Sequence, residues 1–373
     1  MPAAQRVIIS VVSDLVTDQR VHRTALSLHG KGLNVMLVGR KKHDSVEMDA
    51  RPYATRRFRL WAEKGPLFYA FFNIRLFFYL LFTRADILVT NDLDTLLPNF
   101  LISKIKGCKL YYDSHEYFTE VPELVSRPRV RAIWLRIEKW IFPKLKNVFT
   151  VNDSIASIYR EKYNVDVKVV RNLPIRRHDS SPALKREDFN LPTDKTIFLF
   201  QGAGINIDRG AEEAIEAVAL LDRAALLFIG GGDVVEELKK KVADKNLSGK
   251  IFFLPRQPMD QLHRYSKLAD IGLTLDKDTN LNYRYSLPNK IFDYIQAGLP
   301  ILASNLPEVA KIVEEYGIGH ITPSHEPHIL AEQMDSMMNN RQQLDSWREN
   351  LKLAAAELCW EREERKLLEI FRL

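Results

Sequence analysis

Short apolar runs alternate with segments of helical periodicity along the whole chain, and the alternation starts afresh near the middle. In the first half the strand-like runs are Val7–Val12, Val35–Val38, Ile87–Thr90, Lys109–Tyr112, Val148–Val151 and Val167–Val170. Helical patterns such as Arg20–Leu28, Leu96–Ile105 and Ile133–Phe142 fill the intervals. The second half runs through Thr196–Phe200, Ala225–Ile229, Ile251–Leu254, Ile271–Leu275 and Pro300–Ala303. Parallel strands need long crossovers, usually helical, so this order predicts parallel sheets with helices on both faces. A chain of 373 residues is long for one core. Between the halves, Asn172–Pro192 carries Pro174, Pro182 and Pro192 among charged and small residues, which is linker composition. The expected architecture is α/β: two doubly wound, Rossmann-like domains facing a central cleft. Their bounds are 1–172 and 193–355, with a linker over 173–192. A C-terminal helix over 356–373, part of the charged amphipathic segment Gln342–Arg372, can pack back on the first domain.

The net charge of +6 favours anionic partners such as phosphates or a membrane surface. Nucleic acid is the lesser reading, because the chain has no zinc-ligand spacing and no RNA-recognition signature. Cys108 and Cys359 are the only cysteines and lack metal spacing, which points to a reducing compartment without disulfides. The first residues enter a strand directly, without the pattern of a signal peptide, so the cytoplasm is expected. Neither half opens with G-x-G-x-x-G after its first strand, which argues against a dinucleotide-binding dehydrogenase.

The most informative stretch is Leu287–Pro307. Pro288 suits a helix start, and Asn289 and Lys290 put polar donors at a helix N-terminus, a natural seat for an anion. Asp293 lies one turn further on, so all three side chains can face one ligand. Gly298 ends the helix before Pro300. A donor-rich helix start with a carboxylate one turn on suits a nucleoside diphosphate, with phosphates at the start and ribose hydroxyls on the acid. Two glycine turns follow strands in the same half. Gly202 and Gly204 precede Asp208-Arg209-Gly210, and Gly231 and Gly232 precede Asp233. Glycines let backbone approach a ligand, and Arg209 can clamp a diphosphate bidentately.

The apolar segment Leu67–Phe82 is short for a bilayer span and holds Arg75 at its middle, which argues against a transmembrane helix. A buried helix packed on the first sheet is the favoured reading, since nearly all-round hydrophobicity means burial of some kind. The rival is a helix in the membrane interface, flanked by Arg56, Arg57, Arg59, Lys64 and Arg84. Arg129, Arg131, Arg136, Lys139, Lys144 and Lys146 surround Trp134 and Trp140, either as a solvated basic face or for contact with anionic lipid.

Taken in order, these motifs resemble a GT-B-fold glycosyltransferase, similar to the retaining family 4 enzymes (glycosyl transferases group 1). The resemblance covers most of the chain. It runs through Asp18-Gln19-Arg20-Val21 with Gly32, Asn91-Asp92, Tyr112 to Glu116, Val170-Arg171-Asn172, and Gly202 to Gly210. Gly230–Asp233, Pro288–Tyr294 with Gly298-Leu299-Pro300, and Trp360-Glu361 complete it. The resemblance implies hexosyl transfer from a nucleoside diphosphate sugar to a saccharide or lipid-linked acceptor, with retention and with neither cofactor nor metal. It implies donor contacts from Gly202, Gly204, Arg209, Gly231, Gly232, Asn289, Lys290, Asp293 and Glu308. By the same resemblance Arg209, Lys290, Asp293 and His115 are expected to carry the chemistry, the first two on the diphosphate, Asp293 on the ribose and His115 near the transferred sugar. Asp18, Arg20, Asp92 and Glu116 fall on the acceptor side. The chain departs from the family at Tyr285 beside Ser286, where a first glutamate is usual, at Asp293, which is shortened, and at Ala203, where a basic residue is usual. The glycine pair often found after the first strand is absent from Ser13–Thr17.

Each residue also has a plainer reading. His115 fits a satisfied strand-end histidine, Asp293 a first-turn charge, Lys290 a solvated cation and Glu308 a residue favouring the helix that begins near Leu306. Glu116, Glu120 and Glu123 are spaced as one solvated helix face. A nucleotide-sugar epimerase or hydrolase of the same fold, or a nucleotide- or membrane-binding protein without chemistry, stands as the alternative function. Peripheral attachment at the inner face of the cell membrane is a further expectation, as is a role in polysaccharide biosynthesis.

Overall fold

The first apolar run is buried without a break from Val7 to Val12, as a strand must be when both faces of its sheet are covered. The computed structural model describes residues 4–176, 182–258 and 261–373. Of the expected linker, 177–181 lie outside the described residues. The chain divides into two units. The first comprises Met1–Asn172 with Asn280–Asn282 and Glu363–Leu373, and the second Leu173–Thr279 with Tyr283–Arg362.

The first unit begins β1 (Arg6–Asp14), α1 (Gln19–Gly30), β2 (Asn34–Arg40), β3 (Ala54–Phe58), α2 (Gly65–Phe82), β4 (Ile87–Asn91) and α3 (Leu96–Lys106). It continues β5 (Lys109–Ser114), α4 (Pro122–Val125), α5 (Pro128–Ile141), β6 (Asn147–Thr150), α6 (Asp153–Tyr163) and β7 (Val167–Val169). Its strands form one parallel sheet in the order β3-β2-β1-β4-β5-β6-β7. The order reverses beside β1, so the carboxyl ends of β1 and β4 flank the switch point where ligands of such sheets collect.

The rest of the chain runs β8 (Thr196–Gly202), α7 (Ala211–Ala219), β9 (Ala224–Gly230), α8 (Val235–Asp244), β10 (Ile251–Leu254), α9 (Leu262–Ser266) and β11 (Ile271–Thr274). Then come α10 (Leu281–Arg284), α11 (Asn289–Ala297), β12 (Ile301–Ser304), α12 (Pro307–Tyr316), β13 (Gly319–Thr322), α13 (Pro327–Asn339), α14 (Arg341–Glu357) and α15 (Trp360–Phe371). The second sheet is also parallel, in the order β10-β9-β8-β11-β12-β13. Alternate strand residues serve opposite cores: Ile197, Leu199 and Leu227 pack with Ile291 and Ile295, while Phe198, Phe200 and Phe228 pack with Ile215 and Leu330.

The structure adds to the sequence pattern in three places. β3 and β13, which the apolar pattern does not predict, are edge strands, each buried only at its last residue, so neither carries a continuous apolar run. The segment Gln342–Arg372 is two helices. It breaks at the buried Leu358 and Cys359, and the Trp360 N–H donates to the Pro174 carbonyl at 2.8 Å. Finally, α2 is buried on one face only. Phe68, Phe72, Leu76 and Leu80 enter the core, while Leu67, Phe71, Ile74, Phe78 and Phe82 are exposed. Arg75 does not interrupt the helix, because its guanidinium lies over the Phe58 ring at 4.9 Å and donates to the Arg59 carbonyl at 2.7 Å.

Candidate functional site

In the second unit α11 is the element that positions the predicted residues. Pro288 caps it in an extended conformation, and Gly298 closes it with φ 75°. Tyr294, fully buried, fixes the helix to the sheet. Its hydroxyl lies 3.1 Å from the carbonyl oxygens of both Leu199 and Leu273 and accepts from the Gln201 N–H at 3.1 Å. Gln201, itself 1% exposed, takes a hydrogen bond from Ser266 at 2.7 Å and donates to Asp293 at 3.1 Å. Asp293 is thereby held from the end of β8. Asn289 stands exposed at the first helical position.

Lys290 is not the solvated cation of its plainer reading, and a residue that no sequence motif singles out holds it. Asp276 follows β11, is 1% exposed, and binds two cations at once. Its Oδ1 accepts from Arg209 Nη1 at 2.7 Å, and its Oδ2 lies 3.2 Å from Lys290 Nζ. The closure depends on Gly210, at φ 79°, where a Cβ would lie 2.3 Å from the Leu275 carbonyl oxygen. That close approach, open only to glycine, brings the Arg209 loop onto the end of β11. The Arg209 guanidinium also covers the Tyr283 ring at 4.3 Å, and Lys290 Nζ lies 4.7 Å from the centre of Phe200. Burial opposes the charge on Asp276, but Lys290 and Arg209 outweigh it and hold the carboxyl below its ordinary range. Burial lowers the Lys290 pKa, with Asp276 offsetting part of the effect. Arg209 Nε is buried and makes no hydrogen bond among the described residues. The arrangement leaves two desolvated cations at a helix N-terminus with donor capacity for an anion.

The two glycine turns are knitted to each other. The Gly231 N–H donates to the Gly202 carbonyl at 3.2 Å, and the Ile205 N–H to the Gly231 carbonyl at 2.9 Å. A Cβ on Gly232 would lie 2.1 Å from the Ile205 carbonyl oxygen, so this glycine is required by the loop itself. Gly204 is exposed. Arg256, beyond β10, donates from Nη2 to the Ala203 carbonyl at 2.5 Å and so brings a cation to the turn that lacks the family's basic residue. Its signal in the sequence is weak: an arginine just past a strand end, and the gap at Ala203. Glu308, expected as a donor contact, is 4% exposed in the first turn of α12.

In the first unit the ends of β4 and β5 build a second constellation around His115. Asp92 accepts the His115 backbone N–H at 2.8 Å and places Oδ2 3.3 Å from Nδ1. On the other side of the ring, Nε2 lies 3.1 Å from Asn91 Oδ1 and 3.3 Å from Asp113 Oδ2. Asp92 adopts φ 57° and ψ 172°, a region nearly reserved for glycine, so the fold holds this carboxylate in place against backbone strain. Burial opposes protonation of His115, but Asp92 and Asp113 overcome it and raise the pKa to about 9. An imidazolium results, with both nitrogens engaged by acceptors.

Arg20 does not present itself to a ligand. It is 4% exposed, donates from Nε and Nη2 to Asp113 at 2.9 and 2.6 Å, and from Nη1 to the Val170 carbonyl at 2.9 Å. It therefore orders the partner of His115. Asp18 caps α1, accepting from the Val21 N–H at 3.1 Å and from Ser13 at 2.5 Å. Glu116 accepts from Asn282 at 3.2 Å, and burial together with the Asp92 charge raises its pKa to about 7. The expected solvated helix face fails. A 3-10 turn at Phe118–Glu120 precedes Pro122, Glu120 is buried and paired with Arg131, and only Glu123 is exposed. Among the described residues no group of three or more His, Cys, Asp or Glu side chains is placed to hold a metal ion.

Comparison with known proteins bears on the family and the fold. The model of the family described as "Glycosyl transferases group 1" matches residues 183–354, and that of "Glycosyltransferase Family 4" matches residues 18–173. The chain is 27% identical over 270 residues to the probable glycosyltransferase WbjE of Pseudomonas aeruginosa, a match covering 68% of this chain and 66% of that one. The fold is that of sucrose-phosphate synthase from Thermosynechococcus elongatus, with a TM-score of 0.78, 17% identity and coverage of 99% and 98% of the two chains. It is also that of Anabaena Alr3699/HepE in complex with UDP-glucose, with a TM-score of 0.73, 13% identity and 99% of each chain covered. With both units matched and both sheets parallel, the chain belongs to the GT-B glycosyltransferases of the group 1/family 4 type.

Proposed function

We propose that this glycosyltransferase moves a hexosyl group from a nucleoside diphosphate sugar to a hydroxyl of a saccharide or lipid-linked acceptor, with retention and without metal. The observation that carries the reading is the pairing of Arg209 and Lys290 on the buried Asp276, beside the N-terminus of α11. In the reaction the bond from the sugar C1 to the diphosphate oxygen breaks, leaving its electron pair on the diphosphate. The acceptor oxygen bonds to C1 and its proton is released. Charge developing on the diphosphate is met by the two cations and by the helix N-terminus. These supply the stabilisation that a bound divalent ion gives in other transferases. Asp293, held by Gln201, is proposed to meet the ribose, and Gly202, Gly204, Gly231 and Asn289 to border the donor. His115, an imidazolium whose two N–H groups are held by Asp92, Asn91 and Asp113, is proposed to set positive charge near the transferred sugar, while Asp92 and Glu116 serve the acceptor.

The solved relative binds UDP-glucose, which makes UDP-sugars the first donors to test. We place the protein in polysaccharide biosynthesis, in the cytoplasm, peripheral to the inner face of the cell membrane. The epimerase, hydrolase and non-catalytic readings are not favoured, because none draws support from the family matches. The test is incubation with labelled UDP-sugars and saccharide acceptors in the presence of a chelator. Label entering the acceptor with the donor's anomeric configuration is expected. Free sugar or an epimer formed equally well without acceptor would contradict the reading.

A further inference from the structure

We infer that the outer surface of α2, α3 and α5 is a docking face for an anionic lipid bilayer. Leu67, Phe71, Ile74, Phe78 and Phe82 recur at helical spacing along α2 and are between 43% and 82% exposed. They form one continuous stripe about 22 Å long, taken at a rise of about 1.5 Å per residue. The opposite stripe of the same helix is in the core, so α2 can lie on a bilayer but cannot cross one.

The neighbouring helices extend this surface. Ile102 of α3 shares a core cluster with Phe72 and Leu76 of α2 and with Ile8 and Leu88 of the sheet. Trp134 of α5 packs edge-on against Tyr69 of α2, and Trp140 of α5 against Phe100 of α3. The three helices therefore lie side by side on one face of the first sheet. Outward from them project Ile105, Ile133 and Trp140, and Trp61, just before α2, is 88% exposed. Soluble proteins rarely expose so much contiguous apolar surface without something to cover it.

Charge identifies the occupant. The three helices contain a single carboxylate, Glu138, which is fully buried and bonded to Lys162. Their exposed charges are all basic: Arg75, Lys104, Arg129, Arg136 and Lys139, with Lys144 and Lys146 just beyond. Lys144 lies over the Trp140 ring at 4.9 Å, so cation and aromatic reach the surface together. Arg129, Ile133, Arg136 and Trp140 share one stripe of α5 at the spacing that sets cations and apolar groups on a common face. Around them, exposed carboxylates occur only beyond the helix ends, at Glu63, Asp86 and Glu123, so the helical surface itself, aromatic and aliphatic with basic charge alone, matches the headgroup region of an anionic leaflet. A partner protein would ordinarily meet charges of both signs.

This inference deepens the proposed reaction by naming where a lipid-linked acceptor is met, and it rests on that reading for its purpose. The test is flotation of the full chain with vesicles of phosphatidylcholine alone and with about 30% phosphatidylglycerol. Retention on the anionic vesicles only, weakening with added salt, is expected. Two double variants, Phe71→Ser with Phe78→Ser and Arg136→Glu with Lys139→Glu, should each lower partitioning at least about tenfold. UDP binding, followed by thermal shift, should stay unchanged in both. Flotation equal for wild type and both variants, or absent with anionic vesicles, overturns the inference. So does a dimer without vesicle binding that the serine variant converts to monomer, because a second copy then covers the face. Docking retained without any nucleotide binding would instead count against the donor reading alone.

Discussion

Lys290 Nζ sits 3.2 Å from a carboxylate oxygen of Asp276, and both side chains are nearly out of solvent, at 10% and 1% exposure. Asp276 keeps the ammonium charged where burial disfavours it, and its other oxygen does the same for Arg209. Breaking one member of a buried pair costs about 3–5 kcal/mol, because the remaining charges stay buried. Asp276→Asn should therefore destabilise the second unit by a few kcal/mol in denaturant titration. The folded pKa of Asp276 lies below its ordinary value, so this stabilisation is present above about 3.8 and is lost as pH falls through the folded value. A wild-type and an Asp276→Asn curve that stay parallel on acidification would contradict the pairing.

Arg209→Ala and Lys290→Ala address transfer itself. Removal of one preorganised donor from a developing anion typically costs about 10²–10³ in rate. Each variant should lose kcat/KM by about that factor while retaining its circular dichroism. Near-normal turnover in both would remove the diphosphate assignment.

Arg256 gives a separate readout. It is exposed and donates to the Ala203 carbonyl of the glycine turn. Arg256→Ala should weaken UDP binding about tenfold, reduce its salt dependence and leave thermal stability within about 0.5 kcal/mol of wild type. Calorimetry at two ionic strengths checks this.

The His115 constellation predicts two pH windows. The pKa of His115 is raised from 6.5 to about 9, so its contribution to stability is complete below about 6.5 and is lost as pH rises through 9. Glu116 is raised from 4.5 to about 7, so stability falls as pH rises between those values. His115→Gln should flatten the upper window and Glu116→Gln the lower one, each read from denaturation midpoints across pH. A slope unchanged by either substitution would show that the charge pattern is misassigned.

Asp92 combines strain with function, and two substitutions separate them. Asp92→Gly relieves the backbone at φ 57° and Asp92→Ala does not, although both remove the carboxylate. The glycine variant should be more stable by about 1–2 kcal/mol, with activity lost equally in both.

Much of this is legible in the chain because it rests on local pattern. The runs that form central strands, such as Ile271–Thr274, are buried on both faces and carry an unbroken apolar signal. The helix start at Asn289 and its stop at Gly298 follow from short-range capping chemistry. What escapes is either half-exposed or long-range. Edge strands β3 and β13 bury little, and Glu120 reads as a surface charge until Arg131 is brought beside it by the fold. Asp276, Gln201 and Arg256 act on residues distant in sequence, so nothing near them announces the role. The buried stripe of α2 escapes as well, because an apolar composition all round a helix does not say which side faces the core.

The most direct test of the donor site is calorimetric binding of UDP, GDP, ADP and TDP to wild type and to Lys290→Ala. The account predicts one preferred nucleoside diphosphate, with affinity at least about tenfold weaker in the variant. Binding that is absent for all four, or unchanged by the loss of Lys290, would contradict it.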